Sequence, residues 1–204
     1  MRLISKLNLE YSVVMTALLE LPITRGAIPM PLLRVDLTHY DRMIASGVLD
    51  DQKVELLDGL ILEREPMKPA HYTRVKRIYD RLLSQFSGLA TVYSEVPIEL
   101  PHDGRPHPDL TLARFGAGEE NYTLPEEIYL LIEVADTSLE RDQEFRSFLY
   151  ARDLICEYWV LNLRQNQLEV YRDSNGEAYA PKLVFPFGVK VSCLAFPDLE
   201  IDWS

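Results

Sequence analysis

Residues 128–135 read IYLLIEVA, an apolar run of strand length interrupted only by Glu133. A short, continuous apolar run is the pattern of a strand covered on both faces of a sheet. Glu133 is therefore the anomaly. Burying an isolated charge costs on the order of several kcal/mol, so such a group is protonated, paired with a cation or bound to a metal. A glutamate at the exposed end of the strand, or one salt-bridged to arginine, leaves the same trace in sequence.

Upstream, His107-Pro108-Asp109 leads into DLTLAR at 109–114. Proline restricts the backbone entering the sheet, and the aspartate after it is either a turn former or a functional carboxylate. If the two runs are neighbouring strands, Asp109 and Glu133 aim at one point. Two carboxylates and a backbone carbonyl make a sufficient cradle for Mg²⁺, which takes oxygen ligands and keeps several waters. One such water is a nucleophile whose pKa the cation lowers.

The flanking segments supply the rest of a domain. VELLDGLILE at 54–63 places Asp58-Gly59 between two apolar runs, which predicts a hairpin with a type I′ turn. THYDRMIASG at 38–47 predicts a short helix capped by Thr38 and closed by Gly47. In HYTRVKRIYDRLLSQF, 71–86, Val75, Ile78, Tyr79, Leu82, Leu83 and Phe86 recur with helical period. Its other side carries Arg74, Arg77 and Arg81, either a solvated face or a strip contacting phosphate. Further strands are expected at 90–100, 156–163 and 168–173, a second helix over 139–152, and short strands in the tail. The order predicts an α/β (α+β) domain with a central mixed β-sheet flanked by helices, preceded by an N-terminal helix and β-hairpin.

The chain is 47% hydrophobic and 26% charged, ordinary for one domain with its own core. Its net charge of -11 argues against a general DNA-coating protein. A site built of carboxylates is compatible with it, because those acids belong to the negative total. Cys156 and Cys193 have no zinc-site spacing, so a reducing, cytoplasmic setting is expected. In the opening 22 residues Glu10 and Glu20 interrupt the apolar run, far short of the roughly 18 apolar residues of a membrane span. Residues 1–33 are read as a soluble extension ahead of a domain over 34–204, with Met15 and Met30 as alternative starts. FPDLEID at 196–202 offers a second Pro-Asp pair, but too little chain follows for another strand, so Asp198 and Glu200 are expected at the surface.

Taken in order, VELLDGLIL, a histidine opening a helix, HPDLTLAR, LLIEVADTS, Asp142-x₃-Arg146-x₃-Tyr150 and EYWVLNL resemble the bacterial "putative restriction endonuclease" family of the PD-(D/E)XK nuclease superfamily. The resemblance covers roughly residues 35–203, and the order and spacing of the motifs make it specific. It implies a restriction endonuclease-like core and Mg²⁺-dependent hydrolysis of DNA phosphodiester bonds, with Mn²⁺ as an alternative cation. Asp109 matches the aspartate of the motif, Glu133 its second acid, Glu55 the acid from the N-terminal element and His71 the helix-opening histidine.

The superfamily lysine would fall at Ala135, and the basic residue of this sequence lies instead at Arg146. Arginine stays protonated and cannot act as a general base, whereas it can clamp a phosphate oxygen or stabilise charge in the transition state. The expected site therefore has Asp109, Glu133 and Glu55 as metal ligands, Arg146 as phosphate or transition-state contact and His71 in proton transfer or substrate binding. A homodimer is implied by analogy, since cutting two strands suits two symmetric sites. The alternative is a catalytically degenerate nuclease fold that acts as a nucleic-acid-binding or protein-interaction module.

Overall fold

A computed structural model describes residues 32–66 and 68–203. The extension expected over 1–33 thus lies outside the described residues, except for its last two. Helix α1, Leu37–Ala45, is capped by Asp36, not by Thr38, which lies inside the helix. The Asp36 carboxylate accepts from the His39 amide at 2.7 Å and also meets the His39 ring at 2.8 Å. Both residue types cap well, and the second contact favours position 36.

The hairpin forms as its turn chemistry dictates. Strands β1, Val54–Leu57, and β2, Leu60–Glu63, pair antiparallel with Leu57 opposite Leu60. Asp58 and Gly59 both have positive φ, 50° and 74°, which is the type I′ requirement. Helix α2, Pro69–Gln85, starts with proline in its first turn, where the missing N–H costs nothing. Val75, Ile78, Leu82 and the following Phe86 are buried, whereas Leu83, expected on the same face, is 49% exposed.

The remaining strands make one six-stranded mixed sheet in the order β3-β4-β5-β6-β7-β8. They are β3, Ala90–Ser94; β4, Leu110–Arg114; β5, Ile128–Ala135; β6, Glu157–Asn162; β7, Gln167–Arg172; and β8, Leu183–Pro186. Only β5 and β6 are parallel; the other neighbours run antiparallel. Strand β3 is shorter than the apolar run over 90–100 suggested. Glu95, with φ 55°, turns the chain out of the sheet, and Ile98 and Leu100 make isolated bridges only. A two-residue ribbon, β9 at Val191–Ser192 with β10 at Glu200–Ile201, closes the tail.

A parallel pair needs a crossover, and here it is helical over residues 139–152, with a π-wound stretch, Arg141–Arg146, ahead of helix α3, Ser147–Arg152. Leu130, Ile132 and Val134 of β5 pack with Val75, Ile78 and Leu82 of α2. Leu131 and Ala135, the alternate residues, pack with Leu149 and Tyr150 of α3. Both faces of β5 are therefore covered, which is why its sequence is almost continuously apolar. The result is an α+β domain with a central mixed sheet and helices on it. No helix among the described residues is long and apolar enough to cross a membrane. Both cysteines are free thiols.

Candidate active site

The antiparallel register of β4 and β5 pairs Leu110 with Ile132, so Asp109, just ahead of β4, lies beside Glu133. The Asp109 amide donates to Glu133 Oε2 at 3.4 Å. Asp109 Oδ2 in turn accepts from the Val134 amide at 2.7 Å and meets His71 Nε2 at 3.1 Å. Two strands and the first turn of α2 thus converge on two carboxylates and an imidazole.

Alternation along β5 turns Glu133 to the face shared with Leu131 and Ala135, under the crossover. Arg146 comes down from the π-helical turn to meet it. Its Nη1 donates to Glu133 Oε1 at 2.8 Å and to the Tyr150 hydroxyl at 2.9 Å. Its Nη2 lies 2.8 Å from both oxygens of Glu55, which β1 contributes, and its Nε lies 3.4 Å from Asp142. The Tyr150 hydroxyl also donates to Glu133 Oε1 at 3.2 Å. All five side chains are buried.

Burial pushes the Glu133 carboxyl well above the usual carboxylate range against the pull of Arg146, and Asp109, Asp142 and Glu55 add to the rise. Burial alone would lower Arg146, but the surrounding carboxylates and Tyr150 hold it well above the ordinary arginine value. For His71, too, burial works downward, and the hydrogen bond and charge of Asp109 overcome it and raise the pKa. Arg146 is therefore a permanent cation, and the imidazole is biased toward its protonated form.

The expected residues Glu55, His71, Asp109, Glu133 and Arg146 all line one cavity of about 260 Å³. Arg146 stands between Glu55 and Glu133 and engages both oxygens of Glu55. Among the described residues no group of three or more His, Cys, Asp or Glu side chains is gathered as a metal site. The donor chemistry nevertheless suits an oxygen-seeking divalent cation. The four carboxylates Glu55, Asp109, Glu133 and Asp142 meet at the cavity around the Arg146 guanidinium and the His71 imidazole. Among the described residues Asp109 Oδ1 has no hydrogen-bond partner, and Glu133 Oε2 has only the long bond from the Asp109 amide.

The basic stripe of α2 is not presented as one surface. Arg81 donates to the Asp202 carbonyl at 2.9 Å and pairs with its carboxylate at 3.1 Å, which ties it to the C-terminal segment. Arg74 packs its guanidinium 4.8 Å from the centre of the Phe187 ring, and Arg77 is exposed. Besides Arg146, the cations at the cavity, Lys53, Arg64, Lys68 and Arg141, carry no sequence signal, because they come from separate stretches of the chain. Asp142 and Tyr150 do belong to a recognisable spacing, and their contacts with Arg146 assign its physical meaning. Asp198 and Glu200 of the second Pro-Asp segment are exposed.

A mixed sheet with a carboxylate pair at adjacent strand positions, crossed by a helix bearing the basic residue, defines the class of restriction endonuclease-like nuclease folds. Comparison with known families is specific: the chain belongs to the family described as Uma2, "Putative restriction endonuclease", whose model matches residues 37–204. It is also similar to a solved structure described as a putative nuclease belonging to DUF820 from Anabaena variabilis ATCC 29413. That likeness has a TM-score of 0.59 at 14% identity over 74% of this chain and 87% of the other, and it concerns the fold. Comparison with curated proteins finds no match.

Proposed function

We propose that the chain is an endonuclease that hydrolyses DNA phosphodiester bonds with Mg²⁺, or Mn²⁺ in its place. The observation that carries this reading is the placing of Asp109 and Glu133 side by side next to Arg146, at a cavity that His71 also lines. Asp109 and Glu133 would hold the cation, each keeping a carboxylate oxygen that the described residues leave little engaged. When bound, such a cation supplies an activated water and offsets charge on a phosphoryl oxygen.

The protein's own groups do the rest. Glu55 and Asp142 orient the Arg146 guanidinium. That guanidinium, fixed and always charged, offers a stabilising contact for charge that develops on the phosphoryl group. His71, held by Asp109 Oδ2, is the one imidazole bonded to the carboxylate pair and is suited to move a proton there.

Plasmid nicking with Mg²⁺ or Mn²⁺ tests this assignment in the native chain and in Asp109→Ala, Glu133→Ala and Arg146→Lys. The native chain is expected to nick and the two alanine variants to be silent, and increased cleavage by the lysine variant would identify an impaired lysine site. Silence of the native chain with both cations, or cleavage undiminished by the alanine variants, would overturn the reading. The second reading, a degenerate nuclease fold that only binds nucleic acid, is favoured by the engagement of Glu55 and Glu133 with Arg146. A silent native chain that still binds DNA would support it.

A further inference from the structure

A second depression, of about 310 Å³, lies along the first half of α2 over Thr73, Arg74 and Arg77. It adjoins the carboxylate cavity, because Ala70 lines both and Lys68 and Pro69 are consecutive on either side of the join. The two hollows form one path from the carboxylates outward along the helix.

Four cations of this path differ from most others in the chain, including Arg64 and Arg146 of the same cavity, which pair with Glu95 and with Glu55 and Glu133. Lys76, Arg81, Arg105, Arg114, Arg152, Arg172 and Lys182 are all taken up by carboxylates. Lys53, Lys68, Arg74 and Arg77 are not: none has a carboxylate within 4.0 Å among the described residues, and all four line the path. Arg42 and Lys190 are likewise without such a partner, and they line neither hollow. Arg141, at the cavity, has only a long contact of 3.9 Å to Asp142. In a chain of net charge -11 with so many of its basic groups paired internally, a connected row of unpaired cations is a site for a polyanion.

We propose that a nucleic-acid strand engaged at the carboxylate cavity leaves it across the N-terminal half of α2, with its phosphates meeting Lys53 and Lys68 first and Arg74 and Arg77 beyond. Arg81 lies off this path, held by the C-terminal segment. The proposal rests on the nuclease reading of the cavity and adds the direction in which the substrate runs.

The test is fluorescence anisotropy of labelled single-stranded and duplex oligonucleotides over a salt series, with Ca²⁺ in place of Mg²⁺. The native chain is compared with Lys68→Gln, Arg77→Gln and Lys76→Gln, the last on the same helix but paired to Asp80. Loss of one phosphate contact lowers the slope of log affinity against log salt by about 0.9 on duplex or about 0.7 on a single strand. That loss is expected for Lys68→Gln and Arg77→Gln, and an unchanged slope for Lys76→Gln. Equal losses in all three, or in none, would overturn the path. If the native chain nicks plasmid while the slopes stay unchanged, the path alone fails; if it binds no oligonucleotide at all, the path and the nuclease reading fail together.

Discussion

Arg146 sits where three carboxylates and a tyrosine hydroxyl meet, with 5% of its side chain exposed. Removing one partner of a buried ion pair leaves the others charged and desolvated, which costs about 3–5 kcal/mol. Arg146→Ala is therefore expected to lose stability of that order in urea denaturation. Arg146→Lys is expected to lose less. A single ammonium keeps the charge but cannot reach Glu55 and Glu133 with two parallel donors. A loss below about 1 kcal/mol in the alanine variant, the range of surface ion pairs, would contradict this account of the network.

The crossover between β5 and β6 is pinned to the sheet through two glutamates in one cross-strand row. Glu133 of β5 and Glu169 of β7 both pair in register with Val160 of β6. Arg146 reaches the first, and Gln143 donates 2.8 Å bonds to both oxygens of the second. The π winding of Arg141–Arg146 carries both contacts, and π turns of this kind recur at functional sites. Burial by itself would raise the pKa of Glu169, but bonds from Asn162, Lys182, Gln167 and Gln143 outweigh it and bring it down to about 2 from the ordinary 4.5. A depressed pKa contributes stability above the unfolded value that is lost as the pH falls through the folded one. Glu169→Gln should therefore be less stable than the native chain above pH 4.5, with the gap closing toward pH 2. Denaturant midpoints across that range check it, and a gap that does not vary with pH would show that the ionised form contributes nothing.

For the domain as a whole, the apolar cores on the two sheet faces fix where the polar site can be. The core under α2 and the core under α3 are separated by the sheet. The carboxylates collect where the α3-side core gives way to the hairpin and the first turn of α2. On the proposed nuclease reading one site would cut one strand at a time, and cutting both strands would be easiest with two copies related by symmetry. Sedimentation of the native chain with duplex DNA is expected to show a dimer, and a strict monomer that produces only single-strand nicks would contradict this.

The local elements were legible in the residues themselves. Asp58-Gly59 dictates a type I′ turn, IYLLIEVA a doubly covered strand, and the period from Val75 to Phe86 a helix, because each depends on neighbours a few positions away. Asp109 and Glu133 stood out for the same reason, as acids at the edge or in the middle of apolar runs. Long-range pairing left no such trace. Arg146 and Glu55 lie 91 positions apart, and only the β4-β5 register and the π winding of the crossover bring the acids and the guanidinium together. The tertiary structure therefore decided that Glu55 serves Arg146 and that Arg81 belongs to the C-terminal segment, since both depend on which distant charge each side chain meets when the chain closes. What the sequence pattern determined by itself is a carboxylate pair on two apolar strands of an α+β domain, because burying a charge leaves an acid visible wherever the surrounding pattern is apolar.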